Sequence, residues 1–128
     1  MTRDGQIALV RSYFSGVDGA DLDQVLATLT EDCRFSVETH GVALTGHAEI
    51  GGMLQQLWSR HKAVLHDSFR YVCDPEGGAI AARFRVVNTL HDGTLVQKSN
   101  CNFFTIKNGS FDSVAVYMAG ENTLTRKS

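Results

Sequence analysis

The residues best suited to chemistry in this chain are a tyrosine, two histidines and a glutamate. Tyr13 sits among Ile7, Val10, Phe14 and Val17, which recur at helical spacing. Its phenol can donate to a carbonyl inside an apolar space, or stand at a core edge with its hydroxyl on water or backbone. An imidazole is the natural proton carrier near neutral pH, so His66 is a candidate acid or base. Strand alternation groups His66 with Ser68, Arg70 and Val72, opposite Asp67, Phe69, Tyr71 and Cys73. The second set is the more apolar, which turns His66 outward more readily than inward. Glu38 and His40 lie two apart at a strand end. Such a pair can share a proton-transfer task, and it is also what a solvated strand end looks like.

Polar amides mark a second group. Asn88, Asn100 and Asn102 interrupt otherwise apolar strands. A buried amide needs partners, so one that faces inward is suited to a ligand or an ordered water. Asn88 shares a face with Phe84 and Val86, while Arg83 and Arg85 occupy the other, so Asn88 is the inward candidate. On the next strand Cys101, Phe103 and Thr105 oppose Asn100, Asn102, Phe104 and Ile106, and the pattern alone does not choose between the faces. Cys101 has no cation or helix N-terminus nearby to activate it, so it reads as a packed thiol. Phe35, Trp58, Val86, Phe103 and Met118 are expected to line a cavity or simply to fill a core.

Three helices and a run of strands must position these groups. The first helix covers Ile7 to Val17 and ends at Gly16 and Gly19; the second starts at Asp21, a capping residue with Gln24 three positions on. Its stripe is Leu22, Val25, Leu26 and Leu29, closed by Thr30-Glu31-Asp32. A strand follows over Cys33–Glu38 and a short extended piece over Val42–Leu44. The third helix runs from about His47 to His61, with Ile50, Met53, Leu54, Leu57 and Trp58 on a wide apolar face. Four strands complete the chain: Val64–Cys73, Ala79–Leu90, Leu95–Lys107 and Phe111–Met118. Asp92-Gly93 and Asn108-Gly109 are hairpin signals between them. The tail from Gly120 is polar and is expected to fray. Helices first and antiparallel strands later predict an α+β domain: a curved, mostly antiparallel sheet packed on three N-terminal helices, one domain over 1–128. Strands this long can outgrow their helical cover and leave a hollow.

Composition narrows the function classes. A chain of 128 residues with 43% hydrophobic and 20% charged residues can build one core without staples. The net charge of −2 and scattered basic residues argue against nucleic acid. No apolar run approaches the length of a membrane span, and no signal-like segment opens the chain, so a cytoplasmic location is expected. The three cysteines, Cys33, Cys73 and Cys101, read as free thiols without metal-ligand spacing. No cofactor motif is present, so none is expected.

The order of elements resembles the nuclear transport factor 2-like superfamily, and within it the SnoaL-like and ketosteroid-isomerase-like branch. The resemblance rests on Arg11-Ser12-Tyr13-Phe14, Asp21-Leu22-Asp23, Glu31-Asp32, Thr45-Gly46-His47-Ala48-Glu49-Ile50 and Phe103-Phe104-Thr105-Ile106-Lys107-Asn108-Gly109. It implies a cone-shaped, cystatin-like α+β barrel, a pocket for a small apolar oxygenated molecule, and a homodimer through the outer sheet face. Arg83, Arg85 and Val87, with Phe104 and Ile106, are the expected outer residues. It also implies that Tyr13 matches the oxyanion tyrosine of the steroid isomerases. Their basic aspartate falls on Val37 and their protonated aspartate on Cys101, two pocket positions that here lack a carboxyl. Glu38 could replace the base only if the strand slipped by one residue, which flips its face. Ketosteroid isomerase activity is therefore not expected. Isomerisation, cyclisation or dehydration of a polyketide-, steroid- or terpene-like substrate stays open, with Tyr13, His66, Glu38 and His40 as catalytic candidates. The alternative is a non-catalytic ligand-binding or protein-interaction domain.

Overall fold

A computed structural model describes residues 1–119, so the polar tail from Gly120 lies outside the described residues. Helix α1 spans Arg3–Asp18; the Thr2 hydroxyl caps it by accepting from the Gly5 amide at 3.0 Å. Val10, Tyr13, Phe14 and Val17 form its buried face. Helix α2, Leu22–Ala27, is capped by Asp21, whose carboxylate accepts from the Gln24 amide at 3.1 Å. Gly16 lets the two helices meet, because a Cβ there would lie 2.8 Å from a Val25 methyl.

Helix α2 is shorter than its sequence stripe predicts. Leu29 opens strand β1, Leu29–Val37, where it pairs in parallel with Phe111. The Phe111 amide donates to the Thr28 carbonyl at 2.7 Å, so long-range sheet pairing overrides the local helical pattern. A single 3-10 turn, Glu38–His40, leads through Gly41 to strand β2, Val42–Thr45, which pairs antiparallel with β1. Helix α3, Gly46–Arg60, buries Ile50, Met53, Leu54 and Leu57. Strands β3 (His61–Asp74), β4 (Ala79–Leu90), β5 (Leu95–Lys107) and β6 (Ser110–Met118) form an antiparallel meander. Its last hairpin turns at Asn108-Gly109, both at positive φ, as the favoured two-residue turn requires.

The six strands make one curved, unclosed mixed sheet in the order β2-β1-β6-β5-β4-β3, with the β1–β6 pair parallel. The three helices cover its concave face, giving the α+β layering that the element order predicts and the cone that the resemblance implies. Phe35, Ile50, Leu54, Leu57 and Phe104 are almost wholly buried between the layers. Each contributes about 1.5–3 kcal/mol relative to an exposed side chain.

The face of β5 differs from the resemblance-based expectation. Lys98, Asn100, Asn102 and Phe104 point to the concave side, and Phe103 is 46% exposed on the convex side. Phe104 therefore belongs to the core and not to the outer surface. Cys101 pairs with Arg83 and Tyr117 on the convex side and is only partly buried. The reason is a one-residue phase difference, which moves every side chain of a strand to its other face.

Candidate active site

The helices and the sheet enclose a cavity of about 50 Å³. Helix α1 contributes Tyr13, Phe14 and Val17, and α3 contributes Met53, Leu54 and Leu57. The sheet supplies Phe35, Val64, His66, Phe84, Val86, Asn88, Lys98, Asn100, Asn102, Val116 and Met118. Among the described residues the wall is apolar apart from six groups: the Tyr13 phenol, the His66 imidazole, the Lys98 amine and three amides.

His66 faces the cavity because β3 changes phase beyond it. Ser68 adopts φ +58°, and the pairing with β4 shifts register between Asp67 and Arg70. An extra residue in one strand resets the inward–outward alternation. Val64 and His66 point inward before the bulge, and Phe69, Tyr71 and Cys73 lie against the core after it. The alternation that turned His66 outward therefore fails at Ser68.

Asp18 fixes His66 in place. One carboxylate oxygen accepts from the His66 backbone amide at 2.9 Å, and the other contacts Nδ1 at 2.5 Å. The histidine side chain is 10% exposed and the aspartate 21%. With Nδ1 held by a carboxylate, Nε2 is the ring nitrogen outside that contact. The Phe14 ring packs on the imidazole with centroids 4.7 Å apart. Asp18 itself is positioned by the end of α1, where Trp58 Nε1 donates to the Val17 carbonyl at 2.8 Å. Sequence reasoning passed over Asp18. Its signal was an acidic residue at a helix C-terminus, where the helix dipole disfavours negative charge and a compensating partner is required.

Tyr13 is buried among Phe14, Phe104 and Phe111. Burial first, then the nearby Cys33 thiol, pushes its phenol above its ordinary value, so it remains a neutral donor. Burial, then the charges of Asp112 and Asp32, pushes the Cys33 thiol up to about 12. Lys98 is 9% exposed, with Nζ 3.9 Å from the Met118 sulfur, and both Lys98 and Asn88 have further interactions. Asn100 Oδ1 accepts from the Ala119 amide at 3.2 Å. Asn102 is 3% exposed, and its Oδ1 has no partner among the described residues.

The remaining candidates lie elsewhere. Glu38 and His40 are exposed on the 3-10 turn, where His40 Nδ1 contacts the Thr39 hydroxyl at 2.9 Å, and neither reaches the cavity. The strand ends at Val37, so the continuation that would have aimed them at the mouth does not exist. Val37 is fully buried beside the cavity without lining it, and Trp58 is committed to the Val17 carbonyl. Cys101 and Phe103 are on the outer face and do not line the cavity. Among the described residues, no three His, Cys, Asp or Glu side chains gather as metal ligands would.

Residues 10–114 match the family model of the SnoaL-like domain. The chain belongs to the SnoaL-like family. Solved structures share this fold at low identity. A candidate polyketide cyclase from Xanthomonas campestris pv. campestris superposes with a TM-score of 0.83 at 22% identity, covering 90% of each chain. An LEH-like epoxide hydrolase from M. tuberculosis gives 0.78 at 18% identity, over 91% of this chain and 84% of the other. TerC co-crystallized with polyporic acid gives 0.76 at 15% identity, over 88% and 89%. No curated protein matches this SnoaL-like chain significantly. Within the described residues, no helix is long and apolar enough to cross a membrane.

Proposed function

We propose that this SnoaL-like protein is a cofactor-independent acid–base catalyst that isomerises, cyclises or dehydrates a small apolar oxygenated substrate of polyketide, steroid or terpene type. The observation that carries the proposal is the double contact of Asp18 with His66. A base oriented by a third group is the recurring arrangement of proton-transfer sites. Asp18 holds Nδ1 and stabilises the imidazolium once Nε2 has taken a proton. Tyr13, kept neutral by burial, donates to the oxygen that gains charge. In this account His66 replaces the missing carboxylate base, and Glu38 and His40 take no part.

The cavity is smaller than the roughly 300–1,000 Å³ of ordinary ligand pockets, so a ring-sized substrate enters only as the wall yields. Met53 and Met118 are the lining side chains best able to move. The small volume is also what a non-catalytic interaction domain would show. A homodimer would use the outer sheet face, where Phe103 and Tyr117 are each 46% exposed near Arg83.

The test is deuterium incorporation from D2O at the α-carbons of bicyclic ketones such as 2-tetralone, followed by NMR. The wild-type protein is expected to accelerate exchange. His66→Gln should abolish the acceleration, and Tyr13→Phe should lower it roughly 10- to 100-fold with the fold intact. Equal exchange by wild type and His66→Gln would overturn the proposal.

A further inference from the structure

The last hairpin carries a reactive dipeptide that the acid–base chemistry does not use. Asn108 and Gly109 form the two-residue turn between β5 and β6, and both are exposed. Their φ angles are +52° and +81°. A Cβ built on Gly109 would meet nothing within 4 Å, so the backbone nitrogen there is open to approach. Such a turn bonds through its flanking residues, Lys107 and Ser110, and leaves the Gly109 amide outside the ladder. Asn88, Asn100 and Asn102 are placed differently. They are 3%, 8% and 3% exposed. The residues that follow them, Thr89, Cys101 and Phe103, lie in strands paired on both sides, where ladder hydrogen bonds hold the backbone amides.

We propose that Asn108 is a site of spontaneous covalent modification, closing onto Gly109 and converting to isoaspartate and aspartate. The Gly109 nitrogen gives its proton to solvent and attacks the Asn108 side-chain carbonyl carbon, Cγ. The new N–C bond closes a cyclic imide as the old amide C–N bond breaks, and ammonia leaves with a proton. Water then adds to either ring carbonyl and reopens the ring. Nothing is oxidised or reduced; the net change is ammonia out and water in. The turn controls the rate. Ring closure needs Cγ and the Gly109 nitrogen on one side of the Asn108 Cα–C bond. The left-handed conformation, with ψ of about +47°, puts them on opposite sides, so the tip must open first. Only Lys107↔Ser110 and Ile106↔Phe111 pair between the turn and the register shift at Thr105. Isoaspartate inserts a methylene into the backbone of a turn whose length sets that register. Phe111 then loses support. Its amide donates to the Thr28 carbonyl at 2.7 Å, and its ring lies 4.5 Å from that of Phe104 and 6.2 Å from that of Tyr13. Ageing at the hairpin tip therefore reaches the seam between β1 and β6.

Peptide mapping by mass spectrometry tests the assignment on protein incubated at neutral pH, folded and in urea, with an isoaspartyl methyltransferase to label the product. In the folded protein Asn108 is expected to convert ahead of Asn88, Asn100 and Asn102. It should convert roughly 10-fold more slowly than in urea, which is about 1.4 kcal/mol for opening the tip. Hydrogen exchange at the Phe111 amide should be roughly 10-fold faster in the isoaspartate form than in fresh protein. Asn108→Gly keeps a turn-forming pair and removes the side-chain amide. After the same incubation it should show neither the label nor the faster exchange. An Asn108 that stays intact in folded protein long after it has converted fully in urea overturns the proposal, as does earlier conversion at a buried asparagine. Equal rates in the two states overturn the control by the turn. Unchanged Phe111 exchange in the isoaspartate form overturns the link to the β1–β6 seam.

Discussion

Removing the Asp18 carboxylate should loosen the helix–sheet junction and misorient the base at the same time. Asp18 accepts two hydrogen bonds from one residue, the His66 amide at 2.9 Å and Nδ1 at 2.5 Å. Asp18→Ala leaves both donors without an acceptor in a region where the histidine side chain is 10% exposed. Each orphaned donor costs about 1–3 kcal/mol. The two share one carboxylate, so the losses are not additive, and removing negative charge from a helix C-terminus returns roughly 0.3–1 kcal/mol. The net expectation is a loss of about 2–4 kcal/mol for Asp18→Ala. Asp18→Asn keeps one acceptor and should lose about 1–2 kcal/mol. Trp58 is the only tryptophan and touches the end of α1, so urea unfolding followed by its fluorescence reads the stability change. Long-range 1H–15N correlation spectra read the tautomer: in wild type the proton of neutral His66 should sit on Nδ1, facing the carboxylate, and in Asp18→Asn that preference should weaken. Deuterium exchange by folded Asp18→Asn should fall by about 10²- to 10⁴-fold, the range for proton transfer by a positioned base. An Asp18→Ala variant within ~0.5 kcal/mol of wild type, with the His66 tautomer unchanged, would refute the reasoning.

Three further outcomes follow from the same contacts. Ser68→Val places a β-branched residue at φ +58°. It should destabilise the protein by roughly 1–2 kcal/mol and reduce exchange by turning His66, whereas Ser68→Gly should be neutral or stabilising in thermal melts. Asn102→Leu removes a buried acceptor that has no partner among the described residues. Unfolding experiments should show a gain of about 1 kcal/mol for that variant. The third concerns alkali. Burial pushes the Cys33 thiol up to about 12 in the folded state, from an ordinary value of 9.0. Above pH 9 the unfolded chain has lost this proton and the folded chain has not, so stability falls as pH rises from 9 towards 12. Cys33→Ala should flatten that part of the stability–pH curve, and an unchanged slope would remove Cys33 from the account.

Much of the fold was legible because local and long-range preferences agree. The boundaries of β4 and β5 follow from turn residues at both ends, and Asp21 caps α2 as its capping pattern predicts. The failures have physical causes. Leu29 fits a helical stripe, yet pairing with Phe111 draws it into the sheet. The parallel β1–β6 contact joins segments distant in sequence and leaves no local mark. Phe103 and Phe104 are adjacent and equally apolar, so alternation alone could not show which faces the helices. His66 was turned the wrong way because one serine at positive φ resets the phase of β3, and no propensity announces that at a serine. Lys98 was missed because a lysine in a strand is normally solvated. Tyr13, Phe35, Val86, Asn88 and Met118 line the cavity.

The central claim is that chemistry takes place at His66 inside the cone. A crystal structure with a bound carbon-acid probe that undergoes exchange tests it most directly. The account predicts the exchanging carbon about 3–3.5 Å from His66 Nε2, with the carbonyl oxygen on Tyr13. A probe seated on the outer sheet face, or inside the cavity with that carbon turned away from His66, would contradict it.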